Sequence, residues 1–470
     1  MTTDQSHLDR VDLALLESLV DGPVFLPGDT EYAEETATFN LTLPHRPAVV
    51  VGATSSSDVQ HAVRFAGHRG LAVSVKATGH GAVVSADNTL MITTKRMSAV
   101  SINQSESYAR IQAGVLWQDV ISAAAKSSLA PMAGSSPLVG AVAYTLGGGL
   151  SPTLGRAFGY AADHVRSIEI VTADGVLHHV TAQNEPALFW AVRGGKGNFG
   201  IVTALEFDLF PITRLYGGGL FFHAEDAPAV LRTWHTWVKR LPEELTSSFV
   251  FLRLPDLPMI PEPMRGKLTL HVRISYLGEA DAGAELIGPL RTVATPFLDT
   301  VAEMPFTEIA TIHNDPTDPG VAIDRTMLLR ELPAEALETL LELAGPGAAP
   351  EDALMMVEVR QLGGALSREA RVPNAVSNRD AAFNLFMASI PAPADGDAER
   401  IRAVLAKILD RMAPWGTGGA YANFMSTEDT APDEVRKAFG SLVFDRLIDV
   451  KKLYDPTNMF RINHNIPPMQ

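Results

Sequence analysis

The sequence of 470 residues contains no cysteine. This absence excludes disulfide bonds, thiolate metal sites and cysteine nucleophiles. Basic residues are also few: 38 Lys and Arg face 54 Asp and Glu, for a formal net charge of -16. Because no cationic excess exists to neutralise phosphates, a nucleic-acid partner is not expected. The 13 histidines form no HExxH motif or His/carboxylate cluster, so the sequence predicts no metal site.

Long apolar runs are absent as well. No stretch of about 20 apolar residues occurs, so no membrane span is expected. The first residues, MTTDQSHLDRVDLALLESLVDG, lack the basic and then apolar layout of a signal peptide, which predicts a cytoplasmic protein. Hydrophobic residues make up 46% and charged residues 20%, a composition typical of globular proteins. The length predicts two or three structural units.

The first unit with a clear pattern begins at Pro47. Ala48 to Val51 is a short apolar run typical of a buried strand. A helix is predicted from about Asp58, with serines as N-cap candidates, up to a stop at Gly70. The next strand, LAVSVKA, leads directly into the turn TGHG. Ligands of α/β folds usually bind at such strand ends, so the pattern indicates a βαβ unit with a binding loop.

Two further regions follow. In residues 105–212, YARIQAG predicts a strand, Trp117 to Ser127 a helix, and VRSIEIVTADGVLHHVT a hairpin with a tight Ala-Asp-Gly turn. From about residue 213 to 417, strands such as KLTLHVRISYL and ALMMVEVRQL alternate with helices such as PAEALETLLELAG. This alternation predicts a second α+β domain, with an antiparallel sheet and helices on one face.

Three glycine-rich loops stand out, at residues 79–81, 147–149 and 194–200. Glycine lets backbone N–H groups approach a pyrophosphate closely. None of the loops fits GxGxxG after the first strand, and none is a GxxxxGK[ST] loop, which disfavours a Rossmann nicotinamide site and a P-loop. Three such loops favour a large cofactor that carries phosphate.

Seven ordered segments resemble the berberine bridge enzyme-like branch of the vanillyl-alcohol oxidase/p-cresol methylhydroxylase flavoproteins. They run from about residue 73 to 468 and read VSVKATGHGAV, GSSPLVGAVAYTLGGGLSPTLGRAFGYAADHV, IEIVTADG, LFWAVRGGKGNFGIVT, VRQLGGAL, GGAYANF and KKLYDPTNMFRINHNIPP. The resemblance implies an α+β fold with a two-part FAD-binding domain of the p-cresol methylhydroxylase type and an inserted substrate domain with an antiparallel sheet. The expected bounds are 1–212 for the FAD-binding domain (subdomains at about 1–104 and 105–212), 213–417 for the substrate-binding domain, and 418–470 for a C-terminal segment that returns to the FAD domain.

The resemblance also assigns roles. His80 matches the histidine that relatives join to the flavin 8α carbon, a bond expected to raise the flavin's redox potential. Backbone groups of 76–81, Gly147 and Gly148 are expected to hold the pyrophosphate, and 201–202 to lie by the adenine. The full set of expected FAD-binding residues is His80, Lys76, Ala77, Thr78, Gly79, Gly81, Ala82, Ser136, Val139, Gly140, Ala141, Tyr144, Gly147, Gly148, Gly200, Ile201, Val202, Asn463 and Asn465.

Three positions depart from the pattern or qualify it. Many relatives carry a second tether, a cysteine, where this chain has Ser136; serine supplies no thiolate, so a single covalent link is expected. Tyr144 stands where many relatives have histidine near the flavin N1/C2 carbonyl edge; a phenol donates a hydrogen bond there but does not become a cation. The alternative for Tyr144 is a packing role. Ala141 resembles the position that gates oxygen, and its small side chain favours an oxidase.

The candidate catalytic residues are Tyr421 and Tyr144. Tyr421, in GGAYANF, matches a tyrosine that faces the substrate carbon in several relatives, and as a tyrosinate it could remove a hydroxyl proton. Since the ordinary pKa of tyrosine is near 10, that role requires electropositive surroundings. Arg273 and Arg360, on predicted strands, either assist or bind an acidic substrate, or else are solvated or paired in the core. His464, between the two asparagines of the tail, is expected to point away from them.

The resemblance thus implies an oxidase that transfers a hydride from an alcohol-type carbon of a small organic substrate, a secondary metabolite or glycoside, to flavin N5. O2 then reoxidises the flavin and H2O2 is released. Two alternatives remain open: a flavin dehydrogenase with another electron acceptor, and a flavin-binding cyclase without net oxidation. A nicotinamide enzyme is disfavoured because the glycines are misplaced for it.

Overall fold

A computed structural model describes residues 8–258, 260–392 and 396–469, so the predicted outer bounds at residues 1 and 470 lie outside the described residues. The first sheet has the strand order β1-β2-β4-β3, and its last three strands run parallel. The elements of this part are α1 (Arg10–Leu19), β1 (Val24–Phe25), α2 (Tyr32–Thr36), β2 (Val49–Gly52), α3 (Ser56–Arg69), β3 (Val73–Lys76) and β4 (Leu90–Thr93).

The predicted βαβ unit, β2-α3-β3, is present. The Ser55 side chain caps α3 by accepting the Asp58 N–H, and Gly70 ends the helix with a φ of 65°. The two strands are not neighbours, however, because β4 lies between them. β4 is not predicted from the sequence, because a short apolar run without flanking periodicity fits a strand and a helix fragment equally well.

The second sheet is antiparallel, with the order β5-β6-β9-β7-β8. The predicted hairpin is confirmed as β7 and β8, with Gly175 at a φ of 73° in its turn. The elements here are β5 (Val100–Asn103), β6 (Tyr108–Gln112), α4 (Trp117–Ala125), α5 (Ala141–Leu146), α6 (Gly155–Phe158), β7 (Val165–Val171), β8 (Leu177–Thr181), α7 (Pro186–Val192) and β9 (Ile201–Asp208).

The third sheet, also antiparallel, follows the order β13-β10-β12-β11-β16-β17-β15, and β14 pairs with β10 as well. Its elements are β10 (Arg214–His223), α8 (Ala227–Trp237), β11 (Leu245–Arg253), β12 (Leu268–Tyr276), α9 (Ala280–Val293), β13 (Leu298–Asp299), β14 (Ala302–Pro305), α10 (Ala310–His313), β15 (Ile323–Leu329), α11 (Ala334–Ala344), β16 (Met356–Gln361), β17 (Phe383–Ser389) and α12 (Asp397–Met412).

The two faces of the third sheet differ in polarity because side chains alternate along each strand. Phe249, Val272 and Val359 point to one face, where they join an apolar core with Trp234 of α8 and Leu337 of α11. This arrangement confirms the predicted antiparallel sheet with helices on one face. Several of the intervening positions carry polar side chains that turn to the opposite face, among them Ser248, Arg273 and Arg360.

The last helix, α13 (Pro432–Tyr454), returns to the second sheet: Phe444 and Leu447 belong to the same buried core as Ile168 and Leu205. Further along, Met459 and Phe460 join the core of the first sheet. The C-terminal segment therefore links the first two sheets. Of the helices described, none combines the length and apolarity needed to cross a bilayer.

Candidate flavin and substrate site

His80 lies in the turn that follows β3. Its ring stacks on Phe39, with centroids 3.9 Å apart, and its Nδ1 is 2.8 Å from the Thr78 hydroxyl oxygen. Nε2 is buried and has no hydrogen-bond partner among the described residues. Burial lowers the pKa of His80 to about 4, so the ring is neutral near pH 7. If Nδ1–H donates to Thr78, Nε2 carries a free lone pair.

The neighbours of His80 in the turn have separate contacts. Lys76 donates to the Ala37 carbonyl at 2.7 Å, and burial lowers its pKa to about 8. A Cβ at Gly79 would lie 2.9 Å from the Thr38 backbone, whereas one at Gly81 would meet no atom within 4 Å. Ala82 is half-buried. The predicted binding turn is thus closely packed at one side and open at Gly81.

The SSPLVG segment comes against this turn. A Cβ at Gly140 would lie 3.4 Å from that of Ala77, so the absence of a side chain permits the close approach. Ser136 and Val139 are half-buried, and Ala141 is fully buried in the core of the second sheet. The structure therefore brings the predicted residues of the first and second regions together.

The glycines at 147–149 pack against the C-terminal motif GGAYANF. A Cβ at Gly147 would overlap the Asn423 side-chain oxygen, and one at Gly148, whose φ is 114°, would lie 2.8 Å from the Tyr421 hydroxyl. The Asn423 side chain also donates to the Tyr144 carbonyl at 2.8 Å. The sequence analysis missed Asn423, although it lies in a motif singled out for its tyrosine.

Tyr421 is buried and Tyr144 is half-buried, and both hydroxyls are buried without a hydrogen-bond partner in the described part of the chain. The Tyr144 ring packs edge-on against Trp117 at 5.4 Å, so the packing role is real, yet its hydroxyl remains unused. Tyr421 packs beside Tyr160 at 5.6 Å. Burial raises the pKa of both tyrosines well above 10.

This result corrects the tyrosinate hypothesis for Tyr421. The nearest helpful cation, Arg379, pairs with Asp163 at 2.6 Å, and that carboxylate raises the pKa of Tyr421 while the guanidinium lowers it. The electropositive surroundings that the role requires are therefore not supplied by this pair. Tyr421 is a neutral phenol that can donate a hydrogen bond.

The C-terminal tail places Asn463 and Asn465 with their side-chain oxygens buried and without partners among the described residues. His464 points elsewhere, as expected: its Nε2–H donates to the Ser426 carbonyl at 3.1 Å, and its Nδ1 accepts from Lys196 at 3.3 Å. Lys196 also donates to the Ala422 carbonyl at 2.6 Å. Burial lowers the pKa of Lys196 to about 8 and that of His464 to about 3. Lys196 was missed because its glycine neighbours dominated the motif.

Gly200, Ile201 and Val202 lie where β9 begins beside β7. Gly200 has a φ of 156°, and a Cβ there would press on the Ile170 side chain at 2.8 Å. Ile201 joins the core of the first sheet and Val202 that of the second. The three residues thus mark the junction of the two cores, and their contact with adenine stays a prediction.

Arg273 and Arg360 both bind the fully buried Glu358, at 2.7 and 2.9 Å, which settles their state as paired in the core. The sequence analysis missed Glu358, although it shares a strand face with Arg360. A cleft is lined by both arginines, Thr246, Ser275, His313 and Leu150. Leu150 follows the 147–149 glycines and packs in one cluster with Tyr421, so the cleft adjoins that tyrosine. Burial raises the pKa of Tyr144, and Arg360 lies close enough for its guanidinium to oppose that rise.

The residues present fit an FAD. Five buried polar atoms of predicted site residues lack partners within the described ranges. Four belong to residues predicted to bind the flavin, His80 Nε2, Tyr144 Oη, Asn463 Oδ1 and Asn465 Oδ1, and the fifth is the Oη of Tyr421, predicted to face the substrate. Such atoms are costly to bury unless a ligand completes their hydrogen bonds. The flavin ring offers both donors and acceptors along its polar edge. By contrast, no group of three or more His, Asp or Glu side chains in the described residues is placed to hold a metal ion.

Comparisons with known proteins agree with this geometry. A family model described as an FAD binding domain matches residues 47–181, and one described as berberine and berberine like matches residues 420–467. The (R)-6-hydroxynicotine oxidase of Paenarthrobacter nicotinovorans is 27% identical, with 96% of this chain and 97% of that protein covered.

Solved structures share the fold. BBE-like 1 of Physcomitrella patens has a TM-score of 0.83 at 20% identity, and the match covers 98% of this chain and 99% of that one. Phl p 4.0202, a glucose dehydrogenase, has a TM-score of 0.82 at 19% identity, over 98% of this chain and 100% of that one. These likenesses confirm the p-cresol methylhydroxylase-type fold. The two family models and the relatives that cover nearly the whole chain identify it as an FAD-linked oxidoreductase with an FAD binding domain and a berberine-like C-terminal segment.

Proposed function

We propose that this FAD-linked oxidoreductase is an oxidase that acts on an alcohol-type carbon of a small organic substrate. The observation that carries the proposal is the pair of phenols, Tyr144 and Tyr421, whose buried hydroxyls lie near the cleft and have no hydrogen-bond partner among the described residues. A hydroxyl-bearing substrate can complete the hydrogen bond of Tyr421 there. When bound, FAD supplies the hydride-accepting N5 and, on reoxidation by O2, yields H2O2.

The proposal includes one covalent link, through His80. A nucleophile that attacks the flavin 8α carbon must carry a free lone pair, and burial keeps the His80 imidazole neutral. Stacking on Phe39 and the Thr78 contact hold the ring in one orientation. Because the sequence has no cysteine, a second link of the thioether type is excluded.

Tyr421 orients the substrate in this proposal. As a neutral phenol it donates its O–H to the substrate oxygen, which fixes the direction of the reacting C–H bond. Gly148 lets the Tyr421 hydroxyl approach the 147–149 turn, because a Cβ would lie only 2.8 Å from it. Because Tyr421 is protonated, it is not the group that accepts the proton of the substrate hydroxyl.

Anaerobic mixing tests the function. The purified holoenzyme is mixed with a panel of primary and secondary alcohols, and the visible flavin absorbance is followed in a stopped-flow instrument. Bleaching by at least one alcohol, followed by fast recovery and peroxidase-detected H2O2 on addition of O2, is the expected result. Bleaching followed by slow recovery in O2 would make the protein a dehydrogenase, the activity printed for Phl p 4.0202. An FAD-loaded protein that converts substrate without bleaching would be a cyclase.

A further inference from the structure

A row of polar side chains crosses four strands on the face of the third sheet that looks away from its helices. Strand pairing places Ser248 of β11 opposite Arg273 of β12 on one side and Arg360 of β16 on the other. Arg360 in turn lies opposite Asn384 of β17. Such directly opposite residues are close neighbours on a sheet, so the row is one continuous surface.

One buried acid, Glu358, lies beside this row, two residues before Arg360 on the same face of β16. Glu358 accepts hydrogen bonds from Ser248 at 2.8 Å, Arg273 at 2.7 Å and Arg360 at 2.9 Å. One carboxylate therefore faces two guanidinium groups, which leaves one positive charge in excess. His313 and His271 do not change this balance, because burial lowers the pKa of both well below 6.5 and keeps them neutral.

Asp315 is the other acid that acts on Arg360, and it raises the pKa of that guanidinium. It is only half-buried, however, and it makes no hydrogen bond to Arg360 within the described ranges. The charge of Arg360 is therefore compensated by one full contact, at its Nε. Buried charges are normally paired, so two guanidinium groups that share one buried carboxylate leave a positive charge in the cleft that favours an anionic ligand.

The donor groups around the cleft point to the same ligand. Arg360 uses Nε for Glu358, and its two Nη atoms have no hydrogen-bond partner in the part of the chain that the structure describes. Its guanidinium lies 5.0 Å from the Phe424 ring, which in turn packs beside the Tyr421 ring. The side-chain nitrogen of Asn384, next to Arg360, and the hydroxyls of Thr246 and Ser275 are buried without partners among the described residues.

We propose that this cleft is a carboxylate-binding subsite, in which Arg360 anchors the acid group of an alcohol substrate. The planar Nη edge of arginine matches the two oxygens of a carboxylate, and such paired bonds are stronger than neutral ones. Only the identification of this ligand as the substrate rests on the proposed function. The binding of a carboxylate in the cleft is independent of turnover.

Benzoate and benzamide are suitable probes, because they share size and shape and differ in charge. Each is titrated into the purified holoenzyme, with the flavin difference spectrum and the Tm as two readouts; the Tm also reports binding to flavin-free protein. We expect benzoate to bind at least tenfold more tightly than benzamide. Arg360→Met should lose at least tenfold in benzoate affinity and leave benzamide affinity unchanged, while Arg360→Lys should recover part of the loss. Arg368→Met is the matched control, since Arg368 pairs with Glu243 at the surface.

Two results would overturn the subsite. One is equal affinity of the wild-type protein for benzoate and benzamide. The other is an Arg360→Met protein that binds benzoate as the wild type does; that outcome would assign the charge of Arg360 to the flavin instead. Failure of the proposed function is distinct, because it appears as a holoenzyme that no alcohol reduces while the benzoate preference persists. If Arg360→Met does not fold, the charge-retaining Arg360→Lys variant is used instead. Its ratio of benzoate affinity to benzamide affinity is then compared with that of the wild type.

Discussion

The Nδ1 atom of His80 lies 2.8 Å from the hydroxyl oxygen of Thr78, two residues earlier in the same turn. This contact occupies one ring nitrogen and leaves the other, Nε2, buried without a partner among the described residues. Because burial also keeps the ring neutral, the turn presents a single free nitrogen. The proposed covalent link therefore has a structural origin in the side chain that precedes the histidine.

His80→Ala should abolish covalent attachment of FAD. The intact mass of the denatured wild-type protein is expected to exceed the polypeptide mass by one FAD, and the variant should show the polypeptide mass alone. His68→Ala is the control, because His68 lies exposed at the end of α3. Thr78→Val should slow flavin attachment, since it removes the hydrogen bond that orients the ring. A wild-type protein that releases its FAD on denaturation would disprove the link.

Ser136→Cys should supply a second attachment point. Ser136 stands where many relatives carry a tethering cysteine, and its segment reaches the His80 turn through Gly140 and Ala77. The test is the double variant His80→Ala/Ser136→Cys, which we expect to retain covalent flavin by mass, while His80→Ala/Ser136→Ala retains none. Absence of covalent flavin from the first double variant would place Ser136 away from the flavin ring.

Tyr421→Phe should slow flavin reduction by about tenfold, the cost of one hydrogen bond, with FAD content unchanged. The reason is that Tyr421 is a neutral phenol: burial raises its pKa and Asp163 opposes the help of Arg379. Tyr454→Phe is the control, because Tyr454 donates to Glu185 outside the site. The rate of flavin reduction, measured by stopped flow between pH 6 and 9, tests this expectation. A loss of about a thousandfold, with a wild-type pH profile that the variant lacks, would instead establish Tyr421 as the base.

Gly147→Ala should destabilise the protein by about 1–3 kcal/mol, because the added methyl group would overlap the Asn423 side chain and disturb its bond to the Tyr144 carbonyl. Gly81→Ala is the matched control: a Cβ there meets no atom within 4 Å. Urea unfolding of both variants, with their FAD content measured, provides the check. Equal stability of the two proteins would contradict the packing role of Gly147.

Much of the fold could be predicted because the relevant signals are local. The Ser55 cap, the Gly70 stop and the hairpin turn at Gly175 each depend on a few adjacent residues. The order of the strands is different: β4 inserts between β2 and β3 because of packing between distant segments, which short apolar runs do not encode. The alternation in MVEVRQ could have paired Glu358 with Arg360 on one face, but that pattern was read for its arginine alone.

The candidate site shows a similar division. The motifs predicted His80, Tyr144 and Tyr421 as site residues, and in the structure each has a buried polar atom without a partner among the described residues. The charge state of Tyr421 could not be predicted, because it depends on an ion pair between Arg379 and Asp163, residues 216 positions apart. The pKa of such a residue is set by charged groups that tertiary packing brings close, and the sequence motif that contains the tyrosine does not contain those groups.

The pH dependence of stability should report His464. Its pKa is 6.5 when the chain is unfolded and about 3 when it is buried beside Lys196. Between pH 6.5 and 3 His464 is protonated in the unfolded state but not in the folded state. Its contribution to the free energy of unfolding is therefore complete above pH 6.5 and declines as the pH falls towards 3. Between pH 6.5 and 5 the loss is about 2 kcal/mol. His464→Gln keeps a donor for the Ser426 carbonyl and an acceptor for Lys196 without titrating.

The free energy of unfolding in urea, measured at pH 7 and pH 5, should therefore fall by about 2 kcal/mol less in His464→Gln than in the wild type. His68→Gln, at an exposed position, should follow the wild type. Other titratable groups change the free energy of unfolding of all three proteins by the same amount, so the comparison isolates the effect of the buried imidazole. An identical fall in His464→Gln and the wild type would mean that His464 is protonated in the folded protein, and the bond from Lys196 to its Nδ1 would then be excluded.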